Sequence, residues 1–181
     1  GAGGFIGAYA ELRAVDGHVD LVRSGRIDDL LEAAPRGTRT LTGPADYVRR
    51  YGRNDLADYL QDLTISPDFP ADASAFAELY PQSGGRPVDG VIGVDPAGLA
   101  ALLRLTGPVE DPELPERLTA DNVEDQLLRR QYLAYGDRAA RGEILAAATR
   151  ATFEALTDAS LPAPRTLGHA LGPVVDARHL Y

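Results

Sequence analysis

The sequence predicts one α/β domain over residues 1–181, with a mixed β-sheet and helices packed on it. Three observations favour this class. A β-branched run at 88–94, bounded by turn signals, is typical of a buried strand. An apolar stripe at 138–156 has the period and width of a helix that packs on a sheet. The pair Asp16-Gly17 between two alternating segments is typical of a hairpin turn.

The first part of the chain is predicted to begin with that hairpin. Residues 4–15 form its first strand and residues 18–23 form the return strand. The polar segment at 24–43 is expected to be a loop, alone or with a short helix. A helical pattern then runs from Pro44 to about Tyr51. No linker that would divide the chain into two domains is evident.

The middle of the chain is predicted to alternate between extended and helical segments. Residues 60–65 are expected to form a short strand or an extended segment. Pro70 should open a helix, because proline lacks an N–H and fits a first helical turn, where that group has no partner. After the predicted strand at 88–94, Asp95 is placed to cap a further helix by accepting from free N–H groups.

The last part of the chain is predicted to be mainly helical. Thr119 is placed to cap a helix that ends near Tyr135, and the apolar stripe at 138–156 forms the next helix. Residues 174–181 alternate like the beginning of a strand that is cut off. We therefore expect a domain that is truncated at both ends.

Charge and composition exclude several classes of function. The net charge of −9, without a block of basic residues, argues against nucleic acid or an anionic membrane surface as the partner. The chain has no lysine and no cysteine. Schiff-base chemistry, a P-loop lysine, thiol nucleophiles and cysteine–zinc sites are therefore excluded within it. Arginine in place of lysine, with abundant alanine and glycine, is typical of a high-GC genome.

The glycine-rich start of the chain, Gly1 to Gly7, fits the G-x-x-G-x-x-G spacing of dinucleotide-binding loops. Such a loop follows a strand and opens a helix whose N-terminus meets the pyrophosphate. Here an alternating segment follows the glycines, and the Tyr-x-x-x-Lys base of sugar epimerases needs a lysine. A nucleotide-sugar epimerase-like NAD-binding protein is kept as an alternative to glycines in a tightly packed strand or turn.

Several motifs follow one another in a fixed order along the chain. They are Gly3-Gly4-Phe5-Ile6-Gly7, Ser66-Pro67-Asp68-Phe69-Pro70, Val88-Asp89-Gly90-Val91-Ile92, Asp95-Pro96 and Thr106-Gly107-Pro108-Val109. In this order the chain resembles the bacterial domain-of-unknown-function family 4012 over nearly its whole length. The resemblance implies an extracytoplasmic domain of the cell envelope, anchored in the membrane only through a helix upstream of this segment.

More distantly, the order of elements is similar to the LytR-CpsA-Psr family, whose members move glycopolymers from a polyprenyl-pyrophosphate carrier onto the bacterial cell wall. The similar part runs from the helix after Pro70 to Gly107. This similarity implies a LytR-CpsA-Psr-like fold and a lipid-linked glycan or cell-wall polymer as the partner. That family's Arg-Ser-Asp and Pro-Arg-Asp signatures are absent, and only Arg23-Ser24 is like them.

Acidic residues around the Ser-Pro-Asp-Phe-Pro segment are candidate cation ligands. Asp62 and Asp68 could hold Mg²⁺, which takes carboxylate oxygens together with the phosphates of a substrate. In the alternative, Asp68 and Asp72 cap the helix and balance its dipole. Asp95, between a predicted strand and a helix, is likewise either a ligand or a helix cap.

Arginines are the candidate phosphate ligands, because a guanidinium fork matches phosphate bidentately. The main set comprises Arg23, Arg49, Arg50 and Arg53. Arg129-Arg130 is a second candidate, and Gly3 and Gly4 complete the candidate positions. The three histidines are far apart in sequence and lack metal-ligand spacing, and no Gly-x-Ser-x-Gly elbow is present.

Two function hypotheses follow from these features. In the first, the domain binds a phosphorylated, polyprenyl-linked glycan. If it is a transferase, Mg²⁺ on Asp62 and Asp68 and nearby arginines offset the charge of the pyrophosphate while an acceptor hydroxyl attacks. In the second, a non-catalytic envelope module uses the same fold for protein or glycan contacts. An apolar groove beside converging Arg and Asp side chains would support the first.

Overall fold

The structure is a computed structural model of the chain, and it describes residues 4–159 and 162–181. The strands and α-helices, in chain order, are β1 (Ala8–Val15), β2 (His18–Arg26), α1 (Ile27–Glu32), α2 (Ala45–Tyr51), α3 (Phe69–Leu79), α4 (Pro96–Thr106), α5 (Val123–Asp125), α6 (Gln131–Ala134), α7 (Arg138–Asp158) and α8 (Pro164–Asp176). Short 3₁₀ segments lie at Gly52–Asn54, Leu60–Ile65 and Pro81–Ser83, and a π-helical segment, Gln126–Arg130, joins α5 to α6. The chain is therefore mixed α/β, as predicted, but the sheet of its described part is a two-stranded antiparallel hairpin and not the predicted mixed sheet.

The described chain divides into two compact units. Unit 1 contains residues 4–7, Ile27–Gly93 and Tyr181, and unit 2 contains Ala8–Arg26 and Val94–Leu180. The organisation as a single domain stays a prediction. Among the described residues, no helix combines the length and the apolar character that are needed to cross a bilayer.

The hairpin of unit 2 forms as predicted. β1 and β2 pair antiparallel, with Val15 opposite His18. The two turn residues, Asp16 and Gly17, have φ of 51° and 83°, the left-handed pair that a tight two-residue hairpin turn requires. The first strand begins at Ala8, later than predicted, because the chain before it bonds elsewhere: the Ile6 N–H donates to the Gln61 carbonyl at 2.9 Å.

Unit 2 is held together by a continuous apolar core. α7 packs against both strands and against α4, and its buried alanines allow this close approach. The core includes Leu99, Leu102, Leu103, Leu118, Val123, Leu127 and Ile144. α4 and α7 occur where the sequence predicted them, and Asp95 caps α4 by accepting from the Gly98 N–H at 2.9 Å.

Unit 1 is built from short helices and turns around a leucine core. Its fully buried side chains include Leu30, Leu56, Leu60, Leu63 and Leu79. One arginine, Arg39, is buried with them and donates to the Ser83 hydroxyl at 2.8 Å and to the Leu30 carbonyl at 2.6 Å. The predicted helix after Ser66-Pro67-Asp68 is confirmed as α3.

The predicted strand at 88–94 is wrong. These residues form no strand: only Val94 makes a β-bridge, with Leu180, and Ile92 is 65% exposed. A β-branched run becomes a ladder strand only beside a partner edge. In the described part of the chain, β1 and β2 pair only with each other.

Two further predicted extended segments are helical. Residues 60–65 form a 3₁₀ segment, because its three-residue turn places Leu60 and Leu63 on one buried side. The predicted strand at 174–181 is also wrong, since α8 continues to Asp176. Only Leu180, in its bridge to Val94, retains strand character there.

Candidate functional site

The acidic segment that was predicted to hold a cation lies where the Leu60–Ile65 turn leads into α3. Asp68 precedes α3 and is exposed. Its backbone N–H donates to the Ser66 hydroxyl at 3.0 Å, and its carbonyl accepts from the Asp72 N–H at 3.2 Å. The Asp68 carboxylate makes no capping hydrogen bond, so only its backbone participates in the start of the helix.

Asp72, in the first turn of α3, is the most unusual residue of this segment. Its side chain is 2% exposed, and neither carboxyl oxygen has a hydrogen-bond partner. Burial raises the pKa of this carboxyl to about 6, and the negative charge of Asp68 raises it further. The Ser66 backbone N–H acts in the opposite direction and lowers the pKa of Asp72. It does not, however, form a hydrogen bond of normal geometry with either carboxyl oxygen of Asp72.

The neighbouring turn adds further unpartnered acceptors. The side-chain oxygen Oε1 of Gln61 and Oδ1 of Asp62 are buried without a hydrogen-bond partner. Tyr47 donates its hydroxyl to the Leu63 carbonyl of the same turn at 2.7 Å. Burial and the negative charge of Asp72 together raise the pKa of Tyr47 above its usual range. Gln61, Asp62 and Asp72 thus each have a buried side-chain oxygen without a hydrogen-bond partner.

The described residues contain no group of three or more His, Asp or Glu side chains arranged to hold a metal. The predicted Mg²⁺ ligands, Asp62 and Asp68, are two carboxylates, and a magnesium site on them stays a prediction. Their environments differ, because Asp68 is exposed whereas Asp62 has a buried oxygen. Sequence reasoning treated Asp72 as a helix-start charge and missed its burial.

Three of the four main candidate arginines lie together in unit 1. Arg49 and Arg50 are on α2 and Arg53 is on the following 3₁₀ turn, all exposed. Arg49 is paired with Asp46 at 2.7 Å. In the part of the chain that the structure describes, Arg50 and Arg53 have no acidic partner, and no ion pair joins them to Asp62 or Asp68.

The remaining arginine candidates lie in unit 2 and contact other groups there. Arg23, on β2, has its guanidinium over the Tyr9 ring at 5.4 Å. Arg130 bonds Asp125 at 2.6 Å and Glu116 at 2.9 Å, and these acids raise its pKa. Because carboxylates already occupy the Arg130 guanidinium, it is less suited to binding phosphate.

Asp95, the other candidate ligand, has two roles in unit 2. One carboxylate oxygen caps α4, and the other lies 2.7 Å from Nδ1 of His179. A side chain at Gly98 would place its Cβ 2.5 Å from the His179 carbonyl, so glycine permits this approach. No local sequence signal predicts the pairing of Asp95 with His179, because 84 residues separate them.

The glycine-rich start does not continue into a helix. Gly3 lies outside the described residues. Gly4 has a φ of 76°, and its carbonyl accepts from the Thr64 hydroxyl at 2.6 Å. β1 follows Gly7, whereas a dinucleotide-binding loop needs a helix N-terminus at that position. The geometry therefore agrees with the reading of these glycines as part of a turn that leads into a strand.

Comparison with known proteins identifies one family. The model of the family described as protein of unknown function (DUF4012) matches residues 1–132. The match includes Asp62, Asp68, Asp72 and the candidate arginines, and it ends before α7. No curated protein and no solved structure gives a significant match to this chain. Because the family model covers more than half of the sequence, the chain belongs to the DUF4012 family.

Proposed function

We propose that this chain is an extracytoplasmic domain of the bacterial cell envelope that binds a glycan linked to polyprenyl pyrophosphate and acts in glycopolymer transfer. The order of its predicted elements is similar to that of the LytR-CpsA-Psr family, and this similarity, with the fold that it implies, supports the proposal. In this proposal, the membrane anchor lies outside this segment. The structural observation that carries it is the pair of exposed guanidinium groups on Arg50 and Arg53, which have no ion-pair partner among the described residues.

These two arginines are unusual in a chain with a net charge of −9. They are three residues apart on consecutive helical segments, so both can contact one anionic group. Their neighbour Arg49 already bonds Asp46, and a pyrophosphate would compete with that surface pair at little cost. Guanidinium groups bind phosphate oxygens bidentately, which makes pyrophosphate the best-matched ligand.

A divalent cation completes the proposed chemistry. Mg²⁺ on Asp62 and Asp68, in the same unit as the arginines, would neutralise part of the pyrophosphate's charge. An acceptor hydroxyl would attack the phosphorus that carries the glycan and lose its proton. The bond from that phosphorus to the polyprenyl phosphate would break, and polyprenyl phosphate would leave.

Isothermal titration with farnesyl pyrophosphate, with and without Mg²⁺, tests the proposal. We expect binding that Mg²⁺ strengthens and that the double variant Arg50→Ala/Arg53→Ala weakens at least tenfold. Arg104→Ala is the matched control, because Arg104 is an exposed arginine of unit 2. The proposal fails if the wild-type domain gives no binding heat in either condition.

A second candidate function is a non-catalytic module that makes protein or glycan contacts. The observation that favours it is an exposed apolar face on the helical segment of unit 2 that ends with α6. Leu128 and Tyr132 are 61% exposed and Leu133 is 78% exposed. Exposed apolar groups that lie together commonly mark contact surfaces. Arg141 lies over the Tyr132 ring at 5.0 Å and helps to hold it.

Co-sedimentation with purified cell-wall glycan separates the two candidates. If the second is correct, Tyr132→Ala/Leu133→Ser abolishes co-sedimentation and Arg50→Ala/Arg53→Ala leaves it unchanged. The reverse pattern, together with loss of pyrophosphate binding in the arginine variant, supports the first. Retention of co-sedimentation by both variants would contradict both proposed surfaces.

A further inference from the structure

We infer that a cleft of unit 1 binds a small aliphatic monocarboxylate, whose carboxylate accepts from the buried guanidinium of Arg39. This site goes beyond the proposed function and does not rest on it. The arginines proposed to bind pyrophosphate, Arg50 and Arg53, do not line the cleft. The two sites can therefore be tested separately.

The first step of the argument is the state of the Arg39 guanidinium. The residue is 6% exposed. Its Nε donates to the Ser83 hydroxyl at 2.8 Å, and its Nη2 donates to the carbonyls of Leu30 and Leu31 at 2.6 and 2.8 Å. Its Nη1 is buried without a hydrogen-bond partner. A buried cation whose partners in the described chain are all neutral is costly, and an unpartnered N–H indicates a missing acceptor.

The second step is the position of Arg39 beside a cleft of about 260 Å³. The residues that line this cleft include Arg39, Asp55, Asp58 and the aliphatic Leu41, Val48 and Leu56. Ser83, Leu30 and Leu31 do not line it, so Nε and Nη2 are bonded to groups outside the cleft. Nη1 is thus the nitrogen that remains for a molecule inside it.

The third step is access to Nη1, which is covered in the unliganded chain. Leu41 and Val48, two aliphatic residues of the wall, are only half-buried. Changes of side-chain rotamer on binding are common, whereas backbone movements at binding surfaces are usually small. In the inferred complex, such a change in the wall opens the path, and the carboxylate becomes the missing acceptor of Arg39.

The fourth step is the type of anion. Arg39 is the one cation that lines the cleft, and Asp55 and Asp58 line it as well. A single negative charge is therefore matched, whereas a dianion such as phosphate is repelled by the two acids. The aliphatic wall suits an aliphatic body. Clefts for drug-sized ligands measure roughly 300–1,000 Å³, so this smaller cleft suits a short molecule.

An NMR titration of the ¹⁵N-labelled domain with isovalerate is the first test. We expect saturable shifts of the backbone amides of Gly52, Leu56 and Ala57, which line the cleft. Isovaleramide has the same shape without the charge, and it should bind about tenfold more weakly because a hydrogen bond to a charged acceptor is lost. Inorganic phosphate should give no saturable shift of these amides.

A blocked cleft is the second test. Gly52→Leu would fill it without backbone strain, because Gly52 has a helical φ of −56° and a Cβ there makes ordinary contact with Val48 Cγ1 at 3.5 Å. This variant keeps Arg39, whose loss would disturb the core. We expect it to abolish isovalerate binding. Gly90→Leu is the matched control, because Gly90 is an exposed glycine of unit 1 with open space around it.

A change of charge specificity is the third test. Asp55 is exposed and has a φ of 52°, a left-handed conformation that asparagine tolerates. Asp55→Asn should therefore preserve the fold and remove one of the two acids that line the cleft. We expect it to strengthen the binding of succinate, a dianion, more than that of isovalerate. An equal change for both anions would contradict the role of the acids in selecting a single charge.

The outcomes separate a ligand site from a buried guanidinium that bonds only water. If isovalerate gives no saturable shift, or isovaleramide binds as tightly, Nη1 is bonded to internal water and the inference is wrong. Binding that Gly52→Leu retains would also overturn it, because the anion would then bind elsewhere. Isovalerate binding without farnesyl pyrophosphate binding would contradict the proposed function alone.

Discussion

Two buried carboxyl groups, one in each unit, differ in their hydrogen-bond partners. In unit 2 the side chain of Asp111 is 7% exposed, and Arg150 holds it with hydrogen bonds of 2.6 and 3.1 Å. In unit 1 Asp72 is 2% exposed, and its carboxyl has no hydrogen-bond partner among the described residues. A paired buried charge stabilises its surroundings or is neutral, whereas an unpaired one destabilises them. Unit 1 should therefore respond to pH and ions, and unit 2 should respond little.

The largest expected effect also lies in unit 1, at Arg39. Arg39→Ala should lower the free energy of unfolding by about 3–5 kcal/mol, because it leaves Ser83 and the Leu30 carbonyl without their buried charged donor. Urea denaturation followed by circular dichroism measures this change, with Arg104→Ala as the exposed control. A loss below about 1 kcal/mol would show that water replaces the guanidinium and that Arg39 is not a buried anchor.

Asp72→Asn should change the free energy of unfolding in the opposite direction, towards greater stability. The folded pKa of about 6 lies above the ordinary value of 3.8, so the folded state binds this proton more tightly. Without metal, the stabilisation of the folded state by this bound proton is fully present below about pH 3.8 and is lost as the pH rises through 6. The difference corresponds to about 3 kcal/mol. At pH 8 in EDTA the variant should therefore be more stable by up to about 3 kcal/mol.

Urea denaturation of both proteins between pH 4 and pH 8 checks this prediction. The variant should lack the part of the pH dependence that lies between the two pKa values. A wild-type domain that gains stability from pH 5 to pH 8 in EDTA, by the same amount as the variant, would show that Asp72 already has a partner.

Asp111→Asn tests the other side of the comparison. We expect it to destabilise the domain by about 2 kcal/mol, because it weakens a charge-assisted pair in which two N–H groups of a partly exposed arginine donate to one carboxylate oxygen. Equilibrium urea unfolding at pH 7 gives the value. If Asp111→Asn and Asp72→Asn change stability in the same direction, the contrast between the two units does not hold.

The smallest expected effect is at the helix cap of α4. Asp95→Ala should cost about 1 kcal/mol, through loss of the bond from the Gly98 N–H and of the contact with His179. Asp95→Asn should retain most of the cap. The Tm of the two variants measures the difference, and equal Tm values would show that the pairing with His179, not the cap, stabilises this region.

Sequence reasoning succeeded where local chemistry determines the structure. Asp16-Gly17 requires two left-handed residues, and Asp95-Pro96 provides a cap followed by a first-turn proline, so both features were predictable. The strand expected at 88–94 failed because pairing depends on a partner edge, which local sequence does not specify. The resemblance to the family was visible from the order of motifs, and the family match confirms it.

The candidate site was predictable only in part. Its segment was identified from Asp62 and Asp68, but the residue that the structure buries is Asp72. One signal was available, because Asp72 shares a helical stripe with the buried Ala75 and Leu79 at spacings of three and four. An acid in an apolar stripe is a better indicator of an unusual environment than an acid at a helix start. The contact of Asp95 with His179 had no comparable local signal.

The buried hydroxyl of Tyr47 has an optical consequence. An exposed tyrosine ionises near pH 10 and changes its ultraviolet absorbance, and without tryptophan the tyrosines dominate that spectrum. Tyr47 resists ionisation because it is buried near Asp72, with its hydroxyl bonded to the Leu63 carbonyl. In an alkaline titration the absorbance of Tyr47 should therefore change at a higher pH than that of exposed tyrosines, when unit 1 opens. The protein thus contains an intrinsic chromophore that reports when this unit lets in solvent.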